Sequence, residues 1–560
     1  MSAVLEAHEP SAKYLGALQP RLVQHFELLG TAPGGVAKLR ELILMLAVQG
    51  KLVSQDPSDE PASELLRRIS AEKYRLTAAK KFKTDRPRKH ASEAEKRFEL
   101  PQGWEWIRLG EVFSLEYGSS LPAKERLAGD VPVFGSNGVV GFHTDALISE
   151  PSLIIGRKGS VGEVNLSLVP FWPIDTSYYV TPPKGIDLLF AFHLLKALKL
   201  GRHDKATAIP GINRNDVYAE MVGLPPTAEQ SRIVTRVEEL MRLCDALETQ
   251  GRLEAAQHAQ LVQTLLGALT VSATPEELAD NWQRVATHFD LLLDRPEAVD
   301  ALEQTILQLA VRGLLVPQDP NDEPASALLQ KIRAEKDRLI AEGKIKREKP
   351  MEPVAIEEVP FVLPTGWSWV RFDELIHPLK PIAYGVLVPG PDVEAGVPFV
   401  RIADLSIDNP APMPEKSIGH DIDRQFQRTR LEGGEILMGV VGSIGKLGVA
   451  PPTWAGANIA RAICRIVPAD GGLREFVLFL LQTGFMQQSF VGDTRTLAQP
   501  TLNVGLIRQA LTPVPPPAEQ ARIVARVGLL RRLCADLRQR LAARQTTQAH
   551  LAEALIEEVA

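Results

Sequence analysis

Apolar residues recur at helical spacing in two stretches near the start of the chain. The first, VAKLRELILMLAVQGKLV, begins at Val36, and Gly50 stands where a helix of this pattern would end. The second is DPSDEPASELLRRISAEKYRL, which begins at Asp56 and places Pro, Ser and Asp ahead of an apolar face that includes Leu65 and Ile69. The pattern therefore predicts two helices in this region.

Two longer stretches carry an apolar seam whose steps alternate between four and three residues, as in a coiled coil. The first seam consists of Ile233, Val237, Leu240, Cys244 and Leu247, and it resumes at Leu261 and Leu265. The second consists of Ile523, Val527, Leu530, Cys534, Leu537 and Leu541, followed by Leu551 and Leu555. Two helices with one register can pack against each other or against the earlier helices. The two seam cysteines are interpreted as small buried apolar residues.

Most of these patterns occur twice at a fixed distance. LPQGWEWIRLGEV at 100–112 returns as LPTGWSWVRFDEL at 363–375, and AVQGKLVSQDPSDEPASELL returns as AVRGLLVPQDPNDEPASALL, both 263 residues later. PPTAEQSRIVTRV from Pro225 returns from Pro515, 290 residues later. The chain is therefore two tandem copies with shared beginnings and ends, and the stretch between the shared blocks is 27 residues longer in the second copy.

The divergent middles differ in character from the helical blocks around them. Short β-leaning runs such as SLIIG and EILMGVV alternate there with Gly, Pro, Asn and Asp, which is typical of small mixed α/β domains. We predict an α+β fold with pseudo-two-fold repetition, in which two such domains are separated by long helices packed as a coiled coil. The predicted segments are an N-terminal extension at 1–24, a helical region at 25–100, a first domain at 101–226, a helical spacer at 227–362, a second domain at 363–516 and a final helix at 517–560.

The composition is that of a globular protein, with 45% hydrophobic and 24% charged residues among 560. No apolar run approaches the ~20 residues that span a bilayer, and the first residues lack the pattern of a secretion signal. Three cysteines are too few and too scattered for a disulfide framework or a zinc site, so we expect a cytoplasmic protein. The net charge of −6 does not indicate nucleic-acid binding, although local basic patches can coexist with a negative total.

Motifs of catalysis are missing from the sequence. It contains no phosphate-binding loop of the GxxxxGK[ST] type, no HExxH and no paired CxxC. The strings nearest to the tetrapeptide of adenine methyltransferases, LPPT at 224–227 and APPTW at 450–454, lack its polar first residue. GRKGSVG at 156–162 and GVVGSIG at 439–445 could cradle a phosphate, but their recurrence favours a structural turn. The repeated Trp pairs are likewise interpreted as core residues in preference to base-stacking ones.

These blocks resemble the specificity subunit of type I restriction-modification enzymes over nearly the whole chain. The resemblance is carried by LRELILMLAVQGKLVSQDPSDEPAS, LPQGWEWIRLGEV, GRKGSVGEV and AIPGINRNDVYAEMVGLPPTAEQSRIVTRVEEL, each with its second copy. It implies that the middles are target recognition domains, each reading half of a split double-stranded DNA target, and that the helices are a spacer that docks two methyltransferase subunits. Adenine-N6 methylation from S-adenosylmethionine then belongs to those partners, and cleavage driven by ATP and Mg²⁺ to restriction subunits. No catalytic residue, cofactor site or metal site is expected in this chain. The alternatives are a helical scaffold that does not bind DNA and a divergent DNA methyltransferase.

Direct readout of DNA uses forked donors and amides, whereas phosphate contacts need only a well-placed cation. The candidate DNA-binding residues of the first domain are Arg157, Lys158, Arg202, Lys205 and Arg214, and those of the second are Arg428, Arg430, Lys446, Arg461 and Arg495. Asn213 and Asn503 recur in both copies, so we expect them to be structural. Acidic residues slightly outnumber basic ones in both middles, so much of the electrostatic attraction to DNA is assigned to the partner subunits.

Overall fold

The computed structural model describes residues 29–78, 98–203, 211–272, 274–347, 351–491 and 501–559. The chain divides into two compact units, one made of Met1–Ala255 with Arg544–Ala560 and the other of Ala256–Ala543. Each unit contains one divergent middle of the repeat together with helices on either side of it. In the described part of the chain, no helix combines the length and the apolar character needed to cross a membrane.

The first unit begins with the two helices that the apolar spacing predicts, and Gly50, at a φ of +71°, follows the end of the first. Its helices are α1 (Gly35–Val48), α2 (Ala62–Ala78), α3 (Leu109–Val112), α4 (Leu188–Ala197), α5 (Arg214–Tyr218) and the first part of α6 (Thr227–Val271). Its strands are β1 (Glu105–Arg108), β2 (Glu116–Tyr117), β3 (Val131–Gly135), β4 (Gly138–His143), β5 (Ser152–Gly156), β6 (Val164–Ser167), β7 (Trp172–Pro173), β8 (Ser177–Val180) and β9 (Met221–Leu224). Single 3₁₀ turns lie at Ala123–Glu125 and Leu200–His203.

The second unit contains the end of α6 and most of the helix that closes the chain. Its further helices are α7 (Pro275–Thr287), α8 (Phe289–Leu292), α9 (Pro296–Val311), α10 (Ala325–Ala341), α11 (His420–Gln425), α12 (Leu473–Gln482), α13 (Gly484–Val491), α14 (Val504–Gln509) and α15 (Pro517–Val559). Its strands are β10 (Ser368–Arg371), β11 (Ala383–Tyr384), β12 (Val397–Val400), β13 (Lys416–Ile418), β14 (Ile436–Gly439), β15 (Leu447–Val449), β16 (Asn458–Ile459), β17 (Ile463–Ile466) and β18 (Leu511–Val514). Its 3₁₀ turns are Ile356–Glu358, Phe372–Leu375, Ile402–Asp404, Gln427–Thr429 and Pro452–Trp454.

The strands of the two units pair in the same order. The first unit has a four-stranded sheet β2-β8-β5-β6, a three-stranded sheet β4-β3-β7 and the antiparallel pair β1-β9. The second unit repeats them as β11-β17-β14-β15, β13-β12-β16 and β10-β18. Each strand of one unit therefore has a counterpart in the other, although the sequences between the shared blocks diverge. The predicted α+β fold with two mixed domains is confirmed.

The extra length of the second domain lies mainly on its three-stranded sheet. Gly156 and Gly439, at equivalent turns, are 283 residues apart, so 20 of the 27 additional residues precede Gly439. In the first domain β3 and β4 are joined by only Ser136 and Asn137, whereas 401–415 separate their counterparts β12 and β13. Helix α11 then follows β13 directly. The two domains therefore share a framework but differ in what projects from one edge of it.

The shared sequence blocks meet in one buried cluster in each unit, which we call the tryptophan clasp. In the first clasp the Trp104 indole N–H donates to Glu229 Oε2 at 3.0 Å, and Gln55 Nε2 donates to Glu229 Oε1 at 2.9 Å. The clasp of the second unit repeats both bonds, with Trp367, Gln318 and Glu519 at 2.9 and 2.7 Å. Each clasp joins the start of a domain to its end, because β1 pairs with β9 and β10 pairs with β18.

The seam residues of the two long helices lie mostly in the cores, against the helix that begins the same copy. In the first unit Ile233, Val237, Leu240 and Cys244 are buried and Leu247 partly buried, in one cluster with α1. In the second unit Ile523, Val527 and Cys534 are buried and Leu530 and Leu537 partly buried, in one cluster with α9. Ion pairs reinforce both arrangements, from Arg40 to Asp245 at 2.7 Å and from Arg538 to Asp300 at 2.7 Å.

The predicted continuation of each seam is wrong at one leucine. Leu261 is 51% exposed and Leu551 47% exposed, while the neighbouring Val262 and Ala552 are buried. A straight α-helix has 3.6 residues per turn, so a stripe spaced at 3.5 drifts by about 20° per heptad around a long helix. The buried face has therefore moved on by one residue in the later turns of α6 and α15.

Removal of the carboxylate at the centre of a clasp should destabilise its unit. Glu229 is fully buried, and burial raises the pKa of its carboxyl group. We expect Glu229→Ala to lower the free energy of unfolding by about 1–3 kcal/mol, because the buried indole N–H of Trp104 loses its acceptor and Gln55 loses a partner. Urea unfolding measures the effect, and Glu238→Ala in the same helix is the control, expected to change stability by less than about 0.5 kcal/mol. Equal effects of the two substitutions would contradict the role of the clasp.

His193 on α4 should make the first unit sensitive to acid. Its Nε2 is buried with no hydrogen-bond partner among the described residues, and burial, aided by Lys196, lowers its pKa to about 4. The folded state thus prefers the neutral ring, so stability should fall as the pH drops from about 6.5 towards 4. Phe479 occupies the position of His193 in the matching segment FVLFLL of α12. The substitution His193→Phe should therefore make the acid-induced loss of stability smaller by about 1–3 kcal/mol. Thermal unfolding at pH 7 and pH 5 tests it, and an unchanged pH dependence would refute the assignment.

Candidate nucleic-acid interface

Each Gly-Ser motif forms the turn between two antiparallel strands, β5 and β6 in the first domain and β14 and β15 in the second. Glycines at positive φ occupy the same two places, with Gly159 and Gly162 at +80° and +76° and their counterparts at +74° and +79°. The second of these glycines donates its N–H to the carbonyl of the motif's first glycine, at 2.8 and 2.9 Å. The prediction of a structural turn is confirmed. The turn of the first domain also carries Arg157 and an exposed Lys158.

Two of the candidate arginines converge on one tyrosine in the first domain. The guanidinium carbon of Arg157 lies 5.1 Å from the centroid of the Tyr117 ring, and that of Arg214 lies 5.4 Å from it. Arg157 Nη1 also donates to the carbonyl oxygen of Asp175 at 2.9 Å, which fixes the direction of its guanidinium group. Tyr117 itself is 51% exposed. We call these three residues the arginine–tyrosine site.

The buried Tyr178 packs against the Tyr117 ring of this site. Its ring lies 5.0 Å from that of Tyr117, its hydroxyl donates to the carbonyl oxygen of Ile212 at 3.3 Å, and it is almost fully buried. Burial, together with the hydrogen bond to Tyr117, raises the pKa of Tyr178 to about 12. The hydroxyl therefore stays protonated and uncharged at neutral pH, and the positive charge of the two arginines is not neutralised by it.

The other candidates of the first domain occupy different surroundings. Lys158 is exposed, and its backbone forms a β-bridge with Gly211. Arg202 makes an ion pair with Glu220, whose side chain is largely buried. Lys205 lies outside the described residues. The structure thus brings Arg157 and Arg214 together and places Arg202 in an ion pair of its own.

Arg430 of the second domain takes part in a buried polar network. Its Nε donates to Asp423 Oδ2 at 2.8 Å, and the fully buried Asp423 also accepts from Asn458 Nδ2 at 3.0 Å. Thr429 Oγ1 completes the network by donating to Asn458 Oδ1 at 2.8 Å. Burial tends to raise the pKa of Asp423, but the bonds from Arg430 and Asn458 outweigh it and hold that pKa below its usual value. The network fixes α11, the helix that the first domain lacks, to the sheet.

The remaining candidates of the second domain are more open. Arg428 and Arg461 are exposed, whereas Lys446 Nζ donates to the carbonyl oxygen of Ile402 at 2.9 Å. Arg495 lies outside the described residues. Whether any of the ten candidates contacts DNA stays a prediction.

The two repeated asparagines begin short helices. Asn213 Oδ1 accepts from the backbone N–H of Asn215 at 2.9 Å, and Asn503 Oδ1 accepts from that of Gly505 at 2.8 Å. Their predicted structural role is confirmed. Trp104 and Trp367 are buried in the clasps, so their prediction as core residues is confirmed, whereas Trp106 and Trp369 are partly exposed and pack against Phe98 and Phe361.

Tyr117 was missed by sequence reasoning although a signal for it exists. The dipeptide Tyr-Gly recurs at 117–118 and 384–385, and both glycines press against the backbone of a neighbouring strand. A Cβ on Gly118 would lie 2.5 Å from the carbonyl oxygen of Pro173, and one on Gly385 would lie 1.8 Å from that of Ile459. The two Tyr-Gly dipeptides are 267 residues apart, which differs from both repeat distances, so they lie outside the shared blocks.

Among the residues that the structure describes, no group of His, Cys, Asp or Glu side chains could hold a metal ion. The architecture is that of a tandem binding protein, in which one α/β domain occurs twice and a long helix follows each copy.

Residues 101–257 match the family model described as the type I restriction modification DNA specificity domain. The chain is 34% identical over 576 residues to the type I restriction enzyme EcoEI specificity subunit of Escherichia coli, with 93% of each chain covered. It is 35% identical over 563 residues to the EcoAI specificity subunit of Escherichia coli, again with 93% of each chain covered.

The chain belongs to the family of type I restriction enzyme specificity subunits. The predicted family is thereby confirmed, and neither the scaffold nor the methyltransferase alternative is favoured. A solved structure, the HsdS subunit from Thermoanaerobacter tengcongensis, is 20% identical and aligns with 83% of this chain and 98% of its own, at a TM-score of 0.35.

Loss of Arg430 should destabilise the second domain. Arg430→Ala leaves the buried Asp423 with only neutral donors, and we expect the free energy of unfolding to fall measurably. Arg428→Ala removes an exposed arginine two residues away and should change stability by less than about 0.5 kcal/mol. Urea unfolding of both variants measures the difference, and an equal response would show that the Asp423 network is not stabilising.

Proposed function

We propose that this chain selects the DNA sequence on which a type I restriction-modification complex acts, with each α/β domain contacting one half of a split target. The observation that carries the proposal is the pair of identical sheet frameworks with different side chains at equivalent positions. Two reading domains in one chain suit a split target, as in dimeric DNA readers, where half-sites lie about 10–10.5 base pairs apart. A single chain with two divergent domains can read two unrelated half-sites.

The division of labour follows from the family. We propose that the chain itself is not catalytic and that two methyltransferase subunits, one for each copy of the repeat, transfer the methyl group from S-adenosylmethionine to adenine N6. Restriction subunits would supply cleavage with ATP and Mg²⁺. The complex would work in the cytoplasm, where its DNA target lies.

The charge distribution is compatible with DNA binding despite the net charge of −6. Arg157, Lys158 and Arg214 are close together on the sheet surface of the first domain, as the Gly-Ser turn and α5 position them. A local group of cations attracts phosphates irrespective of the total, because charges beyond about 8 Å are largely screened at physiological salt. Partner subunits would supply the rest of the electrostatic attraction to DNA.

A map of N6-methyladenine tests the proposal directly. Long-read sequencing of cells that express the chain with its cognate methyltransferase subunit should reveal one split motif, which disappears when the chain is deleted. Replacement of 101–226 by the corresponding domain of another family member should change the first half of the motif only, because each domain contacts its own half-site.

The matched control replaces 363–516 by an unrelated second domain. This variant should change the second half of the methylated motif and leave the first half intact. Methylation that persists unaltered without the chain would refute the recognition role.

A further inference from the structure

The arginine–tyrosine site has an equivalent location in the second domain. Tyr117 pairs with Tyr178 across β2 and β8, and Tyr384 pairs with Cys464 across β11 and β17, which are the corresponding strands. The following glycines, Gly118 and Gly385, make the same close approach to a neighbouring strand. Tyr117 and Tyr384 therefore occupy one position of the common framework.

The two arginines are replaced at their equivalent positions. Arg157 follows the first glycine of the Gly-Ser motif, where the second domain has Val440. Arg214 follows the helix-capping Asn213, where the second domain has Val504 after its own capping asparagine. The same framework thus carries arginine, tyrosine and arginine in one domain but valine, tyrosine and valine in the other.

The tyrosine hydroxyls show why the two sites differ in accessibility. In the second domain the Tyr384 hydroxyl donates to the carbonyl oxygen of Leu502 at 2.8 Å and accepts from the N–H of Val504 at 2.7 Å. In the first domain these two backbone positions are Ile212 and Arg214, and they are bonded by Tyr178, which comes from a different strand.

In the first domain Tyr117 therefore makes neither of these backbone bonds, and its hydroxyl hydrogen-bonds with that of Tyr178 instead. Its ring is 51% exposed and lies beside the guanidinium groups of Arg157 and Arg214, which are half-buried. In the second domain Val440 is fully buried and Tyr384 and Val504 are partly buried, so the equivalent site carries no cation from these positions. The two domains therefore share the backbone framework at this site but differ in the side chains that it carries.

A base contact fits this difference better than a phosphate contact does. Phosphates are the same in every half-site, so a site built to hold one would be expected in both domains. Bases differ between half-sites, and a site that reads one is expected to diverge. Arginine held in a fixed direction matches the O6 and N7 acceptors of guanine in the major groove, which is the commonest specific contact of this residue.

We propose that Tyr117, Arg157 and Arg214 form a guanine-reading site that acts on the first half-site alone. The inference rests on the proposed DNA-recognition function and deepens it. Tyr117 orients the two guanidinium groups by stacking, and Asp175 holds that of Arg157 through its carbonyl oxygen. The second domain reads its half-site with other residues.

Lysine substitutions test the site, because lysine keeps the positive charge but replaces the rigid planar fork of arginine by a single ammonium group on a flexible stem. N6-methyladenine maps are compared for the wild-type chain, Arg157→Lys and Arg214→Lys, each expressed with the cognate methyltransferase subunit. We expect at least one variant to lose its preference for one G·C pair of the first half-site by about tenfold or more. The second half-site should be unchanged, which also shows that the variant chain is folded.

Lys124→Gln, which removes an exposed cation of the same domain, is the matched control and should leave the motif intact. A first half-site that both lysine variants leave unchanged would overturn the proposal. So would a uniform loss of methylation with an unaltered motif, because that result indicates a phosphate contact. If the wild-type chain specifies no split motif, the proposed function itself fails, and this outcome is distinguishable from the other two.

Discussion

The hydrogen bonds from a buried tryptophan and a neighbouring glutamine to one buried glutamate hold each recognition domain at both of its ends. Glu229 and Glu519 lie in the first turn of the long helices, while Trp104 and Trp367 stand just before the first strand of each domain. A carboxylate is costly to bury unless donors meet it, so all three partners must be kept together. This requirement explains why blocks far apart in the sequence recur as a set in both copies.

Because each domain is fixed at its two ends, its interior can change. The hydroxyl that bonds residues 212 and 214 comes from β8 in the first domain, whereas the one at 502 and 504 comes from β11 in the second. The backbone groups are satisfied in both, which preserves the packing of the sheet. What differs is the side chain left facing outward, and in this way a constant framework can present different chemistry to different DNA sequences.

The repeat, the helices and the mixed α/β character of the middles could be predicted from the sequence, since they depend on local spacing and on matches between the copies. Strand pairing could not, because β2 contacts β8 across some sixty residues of unrelated sequence. The arginines of the site were found as candidates, but any surface arginine fits that criterion. The surroundings of Tyr117 and the link from Asp423 to Asn458 depend on contacts between residues far apart in the sequence, and the repeated Tyr-Gly dipeptide alone does not show them.

A count of cations does not locate a DNA interface in this protein. In the second domain Arg430 is bound to Asp423 and Arg401 to Asp404, so their charges are compensated inside the fold. In the first domain Arg157 and Arg214 face an uncharged tyrosine whose ring stabilises them without neutralising them. Neither arginine has a carboxylate partner among the residues that the structure describes, which leaves most of their donors for a ligand. The quantity that distinguishes a recognition surface is therefore the number of oriented, uncompensated donors, and the first domain offers them where the second offers valine.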